Sequence, residues 1–310
     1  MSTKEREITG VRIWELGGTG ARKLDWIPVC GFLTELPEKY DYVSKSPAEI
    51  VGLIGANLPA EVSHVVISVA GKNDGRTIIQ SPNIPWLDKF AIVDELEIRY
   101  PGINFFIVND MVTAAIGMNE QFHRQFRNVA CTTNSSGTNT VIIQAGKIVL
   151  AKEFGHVTID HSMNAPICAC GKRGHAEAIF SGRAVARNVR FLCEHLGLDC
   201  GDNPSKFLDE QFDADEDWAY ELYARVAYAL GCNLAIMITS FDIDAWIIKG
   251  SFGVNMLERK GLIQLIRNTA VSQLMPALQE QAEFIPILAY KGKFQDEDAF
   301  IGALRYIGAI

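Results

Sequence analysis

The chain has 310 residues, 48% hydrophobic and 21% charged, with a formal net charge of -8; this is the make-up of a globular protein with ample core, long enough for two domains. The acidic balance argues against a nucleic-acid partner, whose affinity rests on clustered lysine and arginine. The opening MSTKEREITG lacks the apolar run of a signal peptide, and no stretch has the roughly 18 uninterrupted apolar residues of a membrane span, so a cytoplasmic protein without a membrane partner is expected.

In chain order, VRIWEL, the turn GGTG at 17–20 and LDWIPVCGF predict a β-hairpin. AEIVGLIGANL reads as a helix and VSHVVISVA as a β-branched strand ending at Gly71. Pro82 and Pro85 predict an extended loop through IIQSPNIPWLD. A helix over FAIVDELEIRY then precedes the strand INFFIVND, which runs straight into the apolar helix MVTAAIGMNEQF. NVACTTNSSGTNTVIIQAGKIV repeats the opening theme of strand, small-residue turn and strand. Helices follow around FSGRAVARNVRFLCEHL and DEDWAYELYARVAYALGCNLAIMITSF, the latter with Tyr223, Val226, Ala227, Leu230 and Leu234 on one face. AWIIKGSFG reads as a buried strand ending in a glycine loop, residues 255–275 as one helix, EFIPILAY as a strand and DEDAFIGALRYIGAI as a closing helix. Two halves that each open on a hairpin predict an α/β protein of two lobes with a cleft between them. Residues 1–115 form the first lobe, joined by the C-terminal helix 296–310; residues 116–295 form the second.

Seven cysteines with only Cys168 and Cys170 closely spaced do not make a disulfide framework; Cys30, Cys131, Cys193, Cys200 and Cys232 read as buried small hydrophobes. Cys168 and Cys170 have a turn spacing that brings two thiolates to one ion. His175 lies five residues on, after Gly171 and Gly174, and His156 twelve before Cys168. Together they make a tetrahedral zinc set without an open position, hence structural, while His161 stands outside it. The competing reading is a reduced cysteine pair beside unrelated histidines. Glu153 and Glu177 flank the cluster. GGTG, NSSGTN at 134–139 and KGSFG at 249–253 are turns whose backbone N–H groups can approach phosphate, or small-residue turns with no ligand. Asn109-Asp110 is either a helix N-cap or a carboxylate at a strand end able to take a proton from a hydroxyl.

These residues resemble the ROK family of sugar kinases, within the actin-like, hexokinase-like ATPase superfamily of ribonuclease H-like fold. That family carries E-x-G-H followed by C-x-C-G-x-x-G-C-x-E; here the chain reads EFGH, then CACGKRGHAE. LGGT, VAG at 69–71, PNIP at 82–85, the Asn-Asp pair and IIKG at 247–250 extend the match over nearly the whole length. The resemblance implies ATP-dependent phosphorylation of a hexose or N-acylhexosamine with Asp110 as general base. It implies sugar contacts at Asn83, Asn109, Glu153, His156 and Glu177, with Gly71 in the sugar-side loop. It assigns Glu15 to the Mg²⁺-phosphate, Gly17, Gly18 and Thr19 to the first phosphate turn, Ser136 and Gly137 to the second, and Gly250 to the nucleoside side. Zn²⁺ at His156, Cys168, Cys170 and His175 supports the sugar wall, with His156 serving both metal and sugar, and a homodimer is expected.

The departures are Glu15 for an aspartate, Gly20 for a lysine, S-G-T-N-T-V for the run T-G-x-G-G-G, a shorter segment before Glu153, and His175 for the last cysteine. All but the last fall on the nucleotide side, so the alternative is a sugar-binding or sensor protein with a degraded nucleotide site.

Overall fold

The protein is described from a computed structural model covering residues 7–17, 20–81, 84–150, 153–292 and 297–310. The chain folds as two compact units, residues 1–121 with 292–310, and residues 122–291.

In the first unit β1 (Val11–Gly17) pairs antiparallel with β2 (Gly20–Ile27), Gly17 opposite Gly20, as the glycine-flanked turn predicts. The short strands β3 (Gly31–Phe32) and β4 (Glu38–Tyr40) lie against β2. The hairpin is tied inward by Arg12, buried on β1, which holds Asp25 on β2 through bonds of 2.7 and 2.8 Å and also donates to the carbonyls of Ala56 and Asn57. Helix α1 (Pro47–Gly55) starts at a capping box, Ser46 with Glu49, and has proline in its first turn. Strand β5 (His64–Val69) runs parallel to β1 with all six residues buried, which is why it reads as a continuous β-branched run and not an alternating one. Strand β7 (Ile78–Gln80), paired with β6 (Lys72–Asn73), and a 3₁₀ turn at Pro85–Leu87 fall within the segment 78–88 that the prolines suggested as one extended loop. Helix α2 (Ile92–Arg99), strand β8 (Asn104–Asn109), parallel to β5, and helix α3 (Asp110–Glu120) follow. The sheet order is β3-β2-β1-β5-β8, with β4 on β2.

The second unit repeats this plan. A hairpin of β9 (Asn128–Asn134) and β10 (Thr138–Gln144) is extended by β11 (Lys147–Leu150). After helices α4 (Ala176–Phe180), α5 (Gly182–Leu196), α6 (Pro204–Asp213) and α7 (Asp217–Phe241), strand β12 (Ala245–Lys249) returns parallel to β9. Helices α8 (Ser251–Glu258), α9 (Leu262–Gln273) and α10 (Pro276–Phe284) lead to β13 (Ile287–Ala289). The order β11-β10-β9-β12-β13 is that of the first sheet: three antiparallel strands, then two added in parallel.

Helix α7 buries all five of the residues the periodicity placed on one face. It is long and apolar enough to cross a membrane by composition, but 67% of its most apolar window is buried against the unit's own core, which accounts for its sequence. The single helix expected over 255–275 is two, because Gly261 at φ 84 turns the chain between α8 and α9. The sequence reading also missed α6 and α10, each opened by a proline, Pro204 and Pro276. Of the cysteines read as buried, Cys30 is exposed, because it falls in the turn after β2.

Helix α11 (Glu297–Tyr306) closes the first unit against α3. A Cβ on Gly302 would lie 1.8 Å from the Thr113 carbonyl oxygen, and one on Gly117 2.0 Å from that of Asp298. The backbones meet where neither can carry a side chain. Alanine in a helix ordinarily gains up to about 1 kcal/mol over glycine, but a contact this short reverses the sign. Gly302→Ala is therefore expected to lower unfolding free energy in urea by roughly 2–4 kcal/mol, because α11 must lift off the helix that begins at Asp110.

Candidate active site and metal cluster

In the first unit the polar groups gather where strands end. Asn109 is the last residue of β8 and the N-cap of α3: its Oδ1 accepts the Met111 N–H at 3.0 Å. Its Nδ2 donates to the Gly71 carbonyl at 3.0 Å. Gly71 sits at φ 95, and a Cβ there would come within 2.4 Å of the Gln80 carbonyl oxygen, so only glycine fits. Asp110, half-buried at the first position of α3, also accepts the Met111 N–H, at 2.8 Å. Burial raises its carboxyl above the ordinary aspartate range, against the opposing pull of that N–H. The N-cap and the candidate base are thus adjacent residues that both accept the Met111 N–H, and Gly71, Asn109 and Asp110 are brought together. Asn83, Gly18 and Thr19 lie outside the described residues. The Gly17 carbonyl accepts the Tyr42 hydroxyl at 2.6 Å, and Glu15 forms an ion pair with Arg22, its direct partner across the hairpin.

The second unit holds the Cys/His cluster. Residues 154–156 form a 3₁₀ turn that presents His156. The Cys168 carbonyl accepts the Gly171 N–H at 2.8 Å and the Cys168 N–H donates to the Lys172 carbonyl at 2.8 Å, so the loop curls around the two thiols. A Cβ on Gly174 would lie 1.7 Å from the Asp160 carbonyl oxygen, and this close crossing brings His175 back beside His156. His156 Nδ1 lies 3.3 Å from His175 Nδ1 and 3.5 Å from Cys168 Sγ, and Cys170 Sγ lies 3.2 Å from His175 Nδ1. One donor atom from each of the four residues lies within 4.8 Å of the others. In a tetrahedron with ordinary Zn–N and Zn–S lengths the edges are about 3.3 Å between nitrogens and about 3.5 Å between nitrogen and sulfur. The donor set and its spacing fit zinc. Burial, reinforced by the neighbouring Cys170 sulfur and the Glu177 carboxylate, pushes the Cys168 thiol up to about 11; a divalent cation is what makes a thiolate favourable there. Burial, then His156, lowers His175, in the direction that favours the neutral form a ligand needs. His161 is exposed and apart from the cluster.

Glu177, in the first turn of α4, reaches two ways. Its Oε2 accepts the Thr138 N–H at 3.4 Å and lies where a Cβ on Gly137 would meet it at 3.0 Å, while Oε1 takes the Cys168 thiol at 3.8 Å. It therefore joins the metal loop to the second small-residue turn. The Ser136 carbonyl of that turn accepts the Arg183 N–H at 3.1 Å. Gly250, at φ 99, is the N-cap of α8, where a Cβ would sit 2.5 Å from the Asn134 carbonyl oxygen. Glu153 precedes the 3₁₀ turn and is exposed. One participant went unread in the sequence. Asn139, on β10, accepts the Phe154 N–H at 2.9 Å through Oδ1. Its signal was an asparagine in a run where the resemblance expects glycine.

Two sheets of one topology, each entered by a hairpin, define an α/β protein of actin-like ATPase fold. The chain belongs to the ROK family, whose model matches residues 48–308. It is 25% identical over 227 residues to N-acetylmannosamine kinase from Shigella boydii serotype 18, covering 71% of this chain and 75% of that protein. The ROK hexokinase from Thermus thermophilus superposes with a TM-score of 0.73 at 21% identity, covering 95% of this chain and 96% of that one. The ROK family glucokinase from Streptomyces griseus, in complex with glucose and AMPPNP, gives a TM-score of 0.69 at 24% identity, covering 96% and 98%.

Elemental analysis of the purified protein is expected to find one zinc per chain. Cys168→Ser is expected to lose it and to lower the melting temperature, and dialysis against a chelator should reproduce that loss in the unmodified protein.

Proposed function

We propose that the protein transfers the γ-phosphoryl group of ATP to a hydroxyl of a hexose or N-acylhexosamine. The observation that carries this reading is Asp110: a half-buried carboxylate of raised basicity at the carboxyl end of a parallel strand, beside the Asn109–Gly71 hydrogen bond, in a chain of the ROK family. Kinase activity on N-acetylmannosamine in the Shigella relative and bound glucose in the Streptomyces structure point to the substrate class.

In the reaction, Asp110 takes the proton of the attacking sugar hydroxyl as its oxygen bonds to the γ-phosphorus and the bond to the ADP oxygen breaks. Asn83, Asn109, Glu153, His156 and Glu177 bind the sugar's hydroxyls and hold the reacting one in line. The Nδ1 of His156 faces Cys168 and His175, which leaves its Nε2 for a sugar hydroxyl. His156, Cys168, Cys170 and His175 would hold zinc, which would tie the turn after Glu153 to the segment leading into the helix of Glu177 and so brace both carboxylates. Mg²⁺ bound with ATP supplies charge neutralisation on the phosphates. Backbone N–H groups of the turns at Gly17–Thr19 and Ser136–Gly137, with Gly250, cradle the nucleotide, and the Glu15–Arg22 pair keeps that end of the first hairpin near electrical neutrality. The same reading expects a cytoplasmic homodimer.

The test is ADP formation with Mg²⁺-ATP across N-acetylmannosamine, N-acetylglucosamine, glucose, mannose, fructose and allose. Sugar-dependent turnover is expected; sugar-dependent thermal stabilisation without ADP formation would overturn the kinase reading. Asp110→Asn is expected to lower kcat by about 10²–10⁴-fold while sugar binding persists. Because burial raises the Asp110 carboxyl, the group stays protonated to a higher pH than an ordinary aspartate. The acidic limb of kcat/KM is accordingly expected above about pH 4 and is expected to vanish from the residual activity of Asp110→Asn.

A further inference from the structure

The substituted small-residue run includes Asn139, whose side chain reaches the turn at residues 154–156. A 3₁₀ turn leaves its first N–H groups without partners inside the turn. Here the residue at the cap position, Glu153, provides no side-chain acceptor for residues 154–156. The missing acceptor comes from another strand: Asn139 Oδ1 takes the Phe154 N–H at 2.9 Å and also its own neighbour's, that of Thr140, at 2.8 Å. One residue further along the turn, a Cβ on Gly155 would lie 2.0 Å from the Thr138 carbonyl oxygen. Thr138 and Asn139 therefore grip consecutive residues of the turn, one by steric contact and one by a hydrogen bond. Both ends of that turn carry chemistry, Glu153 before it and His156 at its close.

We infer that Asn139 is a positioning residue for the sugar site, clamping the backbone that aims Glu153 and His156. A glycine at 139 would have no side chain to make this bond. The side chain that departs from the glycine of the family's run is spent on the Phe154 amide. The inference rests on the kinase reading for its functional consequence but not for its structural one.

The experiment compares Asn139→Ala, which removes the acceptor, with Asn139→Asp, which keeps one. In Asn139→Ala the KM for the sugar is expected to rise roughly fivefold to tenfold, the cost of about one backbone hydrogen bond, with the KM for ATP unchanged and kcat lowered less than threefold. Asn139→Asp is expected to restore most of the sugar KM. Amide hydrogen exchange at Phe154 is expected to accelerate in Asn139→Ala and to return toward the unmodified rate in Asn139→Asp. An unchanged sugar KM, or a rise confined to the ATP KM, in an Asn139→Ala protein that still turns over would overturn the inference. Absence of turnover in the unmodified protein would instead sink the kinase reading, and the Phe154 amide then decides: undiminished protection in Asn139→Ala would refute the clamp.

Discussion

Parallel pairing inside each sheet is the constraint on which the functional arrangement depends. Strand β5 is held between β1 and β8, and β12 between β9 and β13, so their backbones have no free edge and their side chains face the core. A polar group inside such strands has to be paired within the core, as Ser68 is with Thr113 and Trp246 with Thr132, and is then not available to a ligand. Groups free to meet a ligand gather instead at the carboxyl ends, where the chain leaves the sheet. The register aligns those ends: Leu16 with Val69, and Val69 with Asn109, so Gly17, which ends β1, and Gly71 and Asp110, just past β5 and β8, gather at one edge of the first sheet. In the second sheet Thr133 pairs with Lys249, which puts the 134–139 turn and Gly250 at equivalent positions. The rule that ligands of open α/β sheets bind beyond the carboxyl ends of strands has this physical origin.

A second layer of control is close backbone approach. At Gly155, Gly174 and Gly302 a neighbouring carbonyl oxygen lies about where a Cβ would be. Each approach seats a segment that matters: the turn before His156, the return to His175, and the helix braced against α3. Such contacts are stiff, because no rotamer change can relieve them. The contacts at Gly155 and Gly174 bring the turn of His156 beside the loop of Cys168, Cys170 and His175, whose donor atoms lie within 4.8 Å of one another.

Glu177 and Asn139 show how closely the two sides of the second unit are interleaved. Glu177 spans the metal loop and the Thr138 N–H; Asn139, the next residue, spans β10 and the Phe154 N–H. A division of the motifs into nucleotide turn and sugar wall, natural when they are read along the chain, gives way to one continuous hydrogen-bonded framework. The second small-residue turn, the metal loop and the turn before His156 share that framework.

The sequence by itself determined the local chemistry. Turn glycines, the Asn109 cap and the burial periodicity of α7 follow from conformational preference and apolar spacing over a few residues, and the repeated hairpins announced two similar sheets. The spacing of the Cys/His segment was legible for the same reason, since its ligands lie within twenty residues of one another. Where local signals were weak the sequence misled: α8 and α9 looked like one helix, α6 and α10 were not seen, and Cys30 looked buried. Only the tertiary structure decided which side chains meet which partners. That Glu15 is engaged by Arg22, that Glu177 reaches Thr138 across 39 residues, and that Asn139 caps a turn 15 residues away are outcomes of strand register and backbone approach. No residue's own propensity encodes them, because each depends on where another part of the chain has already been placed.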